Sequence, residues 1–195
     1  MIAPWLVVAL QVAAAPTCVS SFNRTVCGYH CTTSLADIAC AKTPEGLCAT
    51  LGGKVTCWDP PPDIRQLMAY NPDIPRPTCV SRAGEFACGF NCARSLTKAA
   101  CANTPFGACE SSFDRLVCFD PAPEVRWRME QSNQLSYASC VSSLNQTSCG
   151  YHCETAGQKV RCATSPEGFC QRHFDQIACF DPASDYQAPI SYDPR

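Results

Sequence analysis

The chain has 195 residues, 18 of them cysteine, and a formal net charge of -2. A cysteine count this high belongs to disulfide-stapled scaffolds rather than to a domain built on one large apolar core. The near-neutral charge is spread evenly along the chain, which excludes a basic footprint for nucleic acid and a lipid-surface patch.

Residues Ile2 to Ala15 are almost wholly apolar and end in Val12-Ala13-Ala14-Ala15-Pro16. This pattern reads as a secretory signal peptide over 1–15, cleaved near Ala14 or Ala15. No Lys or Arg precedes the apolar run, and Pro16 directly follows it. A run of about 14 residues is too short to span a bilayer as a helix. No other stretch is apolar enough, so no membrane span is expected after signal removal. The expected location is secreted or on the extracellular surface, where disulfides persist.

From Cys18 onward the chain repeats itself. Cys18, Cys27, Cys31, Cys40, Cys48 and Cys57 are separated by 8, 3, 8, 7 and 8 residues. The same spacings recur at Cys79, Cys88, Cys92, Cys101, Cys109 and Cys118, and again at Cys140, Cys149, Cys153, Cys162, Cys170 and Cys179. Both steps between copies are 61 residues. The chain therefore divides into cysteine-rich repeats over 16–60, 79–121 and 140–182, linkers over 61–78 and 122–139, and a tail over 183–195. Modules this short cannot bury enough apolar surface to fold unaided, so each needs crosslinks or a metal. The expected fold class is small, disulfide-rich and mostly β, with three tandem copies of a hairpin-based six-cysteine module.

Each repeat holds three Cys-x8-Cys segments, and their centres carry turn residues: Asn23, Asp37, Gly52-Gly53, Gly84, Asp114, Asn145, Gly157, Asp175. Val26, Ile38, Val55, Phe86, Leu116, Val160 and Ile177 come shortly after. Apolar residues flanking a turn read as hairpins. Six cysteines allow 15 pairings per repeat. A central turn sets the two cysteines of a segment opposite each other at about 4.5 Å, within disulfide range. Against that pairing, closing the base of one hairpin does little to join three hairpins. Bonds between hairpins would constrain the unfolded chain more, and they are the favoured expectation.

Between the second and third cysteines stand Gly28-Tyr29-His30, Gly89-Phe90-Asn91 and Gly150-Tyr151-His152. A tight loop with a core or half-core aromatic is expected, Gly serving a positive φ or a close approach. Thr43-Pro44-Glu45-Gly46, Thr104-Pro105-Phe106-Gly107 and Ser165-Pro166-Glu167-Gly168 read as type I turns. Their variable third residue, Glu45, Phe106 or Glu167, is expected to face solvent as a contact position. Each module closes on an aromatic, Asp and Pro: Trp58-Asp59-Pro60, Phe119-Asp120-Pro121, Phe180-Asp181-Pro182. The aromatic is expected to cap its module's core, and the Asp to cap a turn. In the first linker Ile64, Leu67 and Met68 lie on one face of a short helix with an acidic first turn. The second puts Val125, Arg128 and Met129 there. The equal steps suggest that linkers are fixed spacers, giving a rigid rod or a compact cluster of modules. In the tail, Tyr186, Ile190 and Tyr192 are candidates for docking.

Metal chemistry has little support. Zinc knuckles with x2 or x4 spacing are lacking, as are iron–sulfur and haem signatures. His30 and His152 precede cysteines but Asn91 replaces them in the second copy, so they read as loop histidines. His173 has no nucleophile beside it. Asn23-Arg24-Thr25 and Asn145-Gln146-Thr147 are glycosylation acceptors in form. No catalytic residue, metal or cofactor is expected, and the chain is read as a non-enzyme. The spacing does not match EGF-like, Kazal-like or defensin-like frames. It resembles cysteine-rich repeats of secreted bacterial proteins, a resemblance that implies no function. The leading expectation is a secreted structural or surface-binding protein, one component of an extracellular assembly or filament. Its partner would be a protein, a matrix or surface, or another copy of itself. The alternative is a multi-headed inhibitor of a secreted hydrolase, its disulfide-held turns entering the target's pocket.

Overall fold

A computed structural model describes residues 15–21, 23–132, 137–144 and 146–182. The apolar stretch over 1–14, Asn145, and the tail with Tyr186, Ile190 and Tyr192 lie outside the described residues. Each repeat forms five strands, paired as one three-stranded and one two-stranded antiparallel sheet. The chain divides into two compact units, residues 1–59 and 60–195.

The first unit contains β1 (Thr17–Ser21), β2 (Arg24–Thr33), β3 (Ile38–Ala41), β4 (Leu47–Leu51) and β5 (Lys54–Trp58). Two-residue hairpin turns that match the twist of their strands need positive φ. Gly52 and Gly53 supply it at 55° and 83°, and Asn23 has φ 59°. These turns set Cys18 opposite Cys27 and Cys48 opposite Cys57. The bonds that form are Cys18–Cys27, Cys31–Cys40 and Cys48–Cys57, with Cα atoms 4.0 Å apart in each. The other repeats pair alike: Cys79–Cys88, Cys92–Cys101, Cys109–Cys118, Cys140–Cys149, Cys153–Cys162 and Cys170–Cys179. Every bond is therefore local to one hairpin, and the favoured expectation of bonds between hairpins is overturned.

What joins the hairpins is a shared strand. The expected tight loop at Gly28-Tyr29-His30 is instead part of β2, which pairs with both β1 and β3. Opposite β3 the register jumps from Tyr29↔Ala41 to Thr32↔Ala39, leaving two residues, His30 and Cys31, against Cys40. That two-against-one count is a β-bulge. His30 takes the positive φ, 44°. The strand thus continues, and one strand carries a cysteine for each of two hairpins. Gly28 is required by contact: a Cβ there would lie 2.5 Å from the Ala41 carbonyl oxygen.

The third hairpin, β4–β5, is held by hydrogen bonds. Asp59 Oδ1, just past β5, accepts from Lys42 N (2.9 Å), Thr43 N (2.8 Å) and Thr43 Oγ1 (2.9 Å). Asp37 Oδ2 accepts from Val55 N at 3.0 Å. Ile38, Ala41 and Val55 are buried. The Val55 and Ile38 N–H groups hold the Asp37 carboxyl below the usual carboxylate range. A native pKa lowered in this way stabilises the fold above the unfolded-state pKa. The contribution is lost as pH falls through the native value. Asp37→Asn is accordingly expected to flatten the acid limb of stability against pH below roughly pH 4, measured by urea unfolding across a pH series.

The second unit begins with α1 (Pro62–Tyr70). Pro62 opens it with a preset φ and Asp63 sits in its first turn. The helix stops at Asn71, whose N–H bonds Leu67 O at 2.9 Å, because Pro72 disfavours a helical residue before it. The strands of repeat 2 are β6 (Thr78–Arg82), β7 (Glu85–Arg94), β8 (Ala99–Ala102), β9 (Ala108–Ser112) and β10 (Arg115–Phe119). Then come α2 (Pro123–Ser132), β11 (Ser139–Ser143), β12 (Gln146–Ala156), β13 (Lys159–Ala163), β14 (Phe169–His173) and β15 (Gln176–Phe180). Repeats 2 and 3 keep the bulged long strand, with Asn91 and His152 at φ 44°.

Both linkers fold and pack inside this unit. Ile74, Phe106 and Met129 form a buried cluster, with Leu67, Met68 and Val125 packed against it. Arg126 Nη2 lies 2.9 Å from Asp63 Oδ2, tying α2 to α1. Arg128 stands where α1 has Leu67, and it pairs with Glu167 at 3.7 Å. The Phe106 expectation is overturned: its side chain is 0% exposed. The Phe106 carbonyl also accepts from Ala138 N at 3.0 Å, and its ring lies 6.0 Å from that of Tyr137. The residue faces inward because both linkers close over this turn and need an apolar partner there.

Candidate binding surfaces

The repeated frame of each module binds itself. In repeat 2, Asp120 accepts from Asn103 N (2.9 Å), Thr104 N (2.9 Å) and Thr104 Oγ1 (2.8 Å). In repeat 3, Asp181 Oδ1 accepts from Thr164 N (2.8 Å), Ser165 N (2.9 Å) and Ser165 Oγ (3.2 Å). These carboxylates cap the Pro-x-Gly turn. Gly46, Gly107 and Gly168 in that turn leave room for them, since a Cβ would strike Asp59, Asp120 or Asp181. Hydrogen bonds to a charged group are worth more than neutral ones. Asp120→Ala is expected to destabilise the second unit by about 2 kcal/mol, read as a lower urea midpoint with an unchanged m-value.

The bulge side chain reaches the same turn. His30 Nε2 lies 2.8 Å from Pro44 O, His152 Nε2 lies 2.9 Å from Pro166 O, and Asn91 Nδ2 donates to Pro105 O at 3.1 Å. His and Asn interchange here because both tolerate positive φ and both present an N–H donor. The histidines therefore have a structural hydrogen bond. His173 stands apart, 4.6 Å from the Phe174 ring. Among the described residues no group of three or more His, Cys, Asp or Glu is placed to hold a metal ion.

The aromatic before Asp120-Pro121 does not only cap its own module. Phe119 meets Tyr151 of the next repeat edge-on, with centroids 6.0 Å apart at 87°. Tyr151 is 4% exposed and its hydroxyl donates to Met129 Sδ at 3.7 Å. Burial, then the nearby Glu167, pushes the Tyr151 hydroxyl pKa up. Cys149 Sγ lies 3.8 Å from Val117 O across the same joint. Phe180, the corresponding residue of repeat 3, is 57% exposed and pairs with Phe169 at 5.9 Å. Phe119, expected as a module cap, is thus a joint residue, because the end of β10 reaches Tyr151 of β12.

Of the contact positions, Glu45 is half-buried, Phe106 is buried, and Glu167 is exposed but engaged with Arg128. They do not form one repeated surface. Asn23 is exposed at its hairpin turn.

The residues missed by the sequence reading are apolar ones at the loop tips. Leu35, Leu96, Phe113, Leu144 and Phe174 are all largely exposed. Phe113, Leu144 and Phe174 take positive φ as the first turn residue. For these three the available signal was a bulky apolar residue directly before a turn-forming Asp or Asn. No family model, curated protein or solved structure matches this chain.

Proposed function

We propose that the chain is a secreted structural or surface-binding protein, a component of an extracellular assembly or filament without catalytic activity. The observation that carries this reading is the set of apolar tips. Leu35, Leu96, Phe113, Leu144 and Phe174 stand exposed on short hairpins that are each closed by a disulfide. A rigid strand pair loses little entropy when its tip is buried against a partner. Repetition along one chain lets weak contacts add as avidity. The occupant is a protein or an extracellular matrix or surface, with apolar patches to receive single Leu and Phe side chains.

The test is adsorption of the oxidised chain to extracellular material recovered from its source. Replacing the five tip residues together by serine is expected to lower retention at least tenfold, while the far-ultraviolet spectrum and melting temperature hold. Equal retention of both chains would refute the tips as the contact. As to a multi-headed hydrolase inhibitor, the burial of Phe106 removes the repeat 2 turn from that role.

A further inference from the structure

The joint between repeats 2 and 3 has two sides. The giving side is the β9–β10 hairpin, with Ala108 buried and Phe119 set against the next repeat. The receiving side is the middle of the long strand β12, where Gly150 and Tyr151 are buried. Because cysteine spacing and strand register repeat, the same two faces exist elsewhere in the chain. β14–β15 pairs Phe169 with Phe180 just as β9–β10 pairs Ala108 with Phe119. There the giving face is uncovered: Phe169 is 54% and Phe180 57% exposed, and their rings adjoin at 5.9 Å. Ala at the first position has become Phe, so the open face is more apolar than the covered one. The receiving face is open in repeat 1. Gly28 and Tyr29 are half-exposed on β2, whereas Gly89, Phe90, Gly150 and Tyr151 are buried in their repeats.

We propose that the chain associates head to tail: the β1–β2 surface of repeat 1, around Tyr29, receives the Phe169–Phe180 face of repeat 3 from a second copy. The contact continues the joint between repeats 2 and 3, where a ring from one repeat meets the β12 aromatic of the next edge-on. Within one copy repeats 2 and 3 have their β7 and β12 aromatics buried, so the one half-exposed counterpart among the three is Tyr29. The two faces differ, so the contact is heterologous. It makes open chains unless the rotation closes a ring. This inference rests on the assembly reading above but uses different residues from the loop tips.

The experiment uses the full chain, oxidised, in sedimentation velocity and light scattering from about 1 µM to 1 mM, the span of weak to moderate affinity. Growth beyond a dimer with concentration is expected. The double variant Phe169→Ser/Phe180→Ser is expected to stay monomeric, with its disulfides and melting temperature retained. Tyr29→Ser, altering the other face, should likewise block self-growth. Mixing the two variants should give dimers and nothing larger, since each keeps one working face. A monomer at every concentration would overturn the proposal, and so would a dimer that never grows. Growth only after removal of 183–195 would overturn it for the intact chain, showing the tail to be the occupant. If assembly fails while tip-dependent adsorption persists, this inference falls and the proposed function stands.

Discussion

Reduction of the disulfides is expected to unfold the chain without any denaturant. Each bond closes a segment with a sequence separation of 9. The chain-entropy account gives such a loop about 2.5–3 kcal/mol. Three bonds then contribute roughly 8 kcal/mol to a repeat, within the range of the whole stability of an ordinary domain. Little else can replace them. Among the described residues of the first unit the buried apolar ones are Ile38, Ala41 and Val55, too few to offset the backbone entropy of ordering five strands. Dithiothreitol should therefore collapse the dispersed amide spectrum of all three repeats. Removing only one bond, as in Cys109→Ser/Cys118→Ser, should cost about 3 kcal/mol and fray β9–β10 first. Retention of a dispersed spectrum in the fully reduced chain would contradict this account. Local pairing adds a kinetic expectation. Each cysteine's partner is its neighbour across one short turn, so oxidative refolding should pass through few misbridged species, seen as few mixed isomers by mass mapping.

Phe106→Ala is expected to lower the stability of the second unit by about 3–5 kcal/mol, the range for a large aromatic removed from a filled site. Phe106 is where the two linkers meet. Ile74 and Met129 pack on its ring, with Leu67, Met68 and Val125 beside them. Its backbone holds Ala138. Loss of the ring should therefore loosen α1 and α2 together, seen as faster hydrogen exchange in both helices. Phe106→Glu, which installs the residue that repeats 1 and 3 carry, should be worse still, since it buries an unpaired carboxylate. The control is Glu45→Ala at the equivalent position of the first unit. Glu45 is half-buried with no ion pair among the described residues. Its replacement should change stability by no more than about 0.5 kcal/mol. Equal effects at both positions would show that Phe106 is not the keystone of the linkers.

The comparison of Glu45, Phe106 and Glu167 shows why variation among repeats is an ambiguous signal. A position that changes from Glu to Phe looks like a solvated one, since a frame that accepts both reads as indifferent. The change instead records different neighbours. Two linkers close over Phe106, whereas Arg128 of α2 reaches Glu167. The terminal aromatics mislead in the opposite way. Trp58, Phe119 and Phe180 look alike, yet Phe119 is half-buried against Tyr151 of the next repeat and Phe180 is open. Their shared place in the 61-residue period does not separate them, because the difference lies in the neighbour that each ring meets.

The amino-acid sequence by itself determined the number of modules, the hairpins, the turn over Pro44, Pro105 and Pro166, and the apolar face of α1. Each of these arises from local chemistry: the spacing of cysteines about a turn residue, the preset φ of Pro, and the period of Ile64, Leu67 and Met68. Tertiary structure alone decided the disulfide pairing, the burial of Phe106 and the role of Phe119. The pairing was open because nothing in the cysteine spacing joins three hairpins without bonds between them. A β-bulge at His30, Asn91 and His152 removes that need by letting one strand serve two hairpins. The carboxylates of Asp59, Asp120 and Asp181 then hold the third. Both devices act between segments distant in the chain, so a period read along the sequence names their residues without revealing their partners.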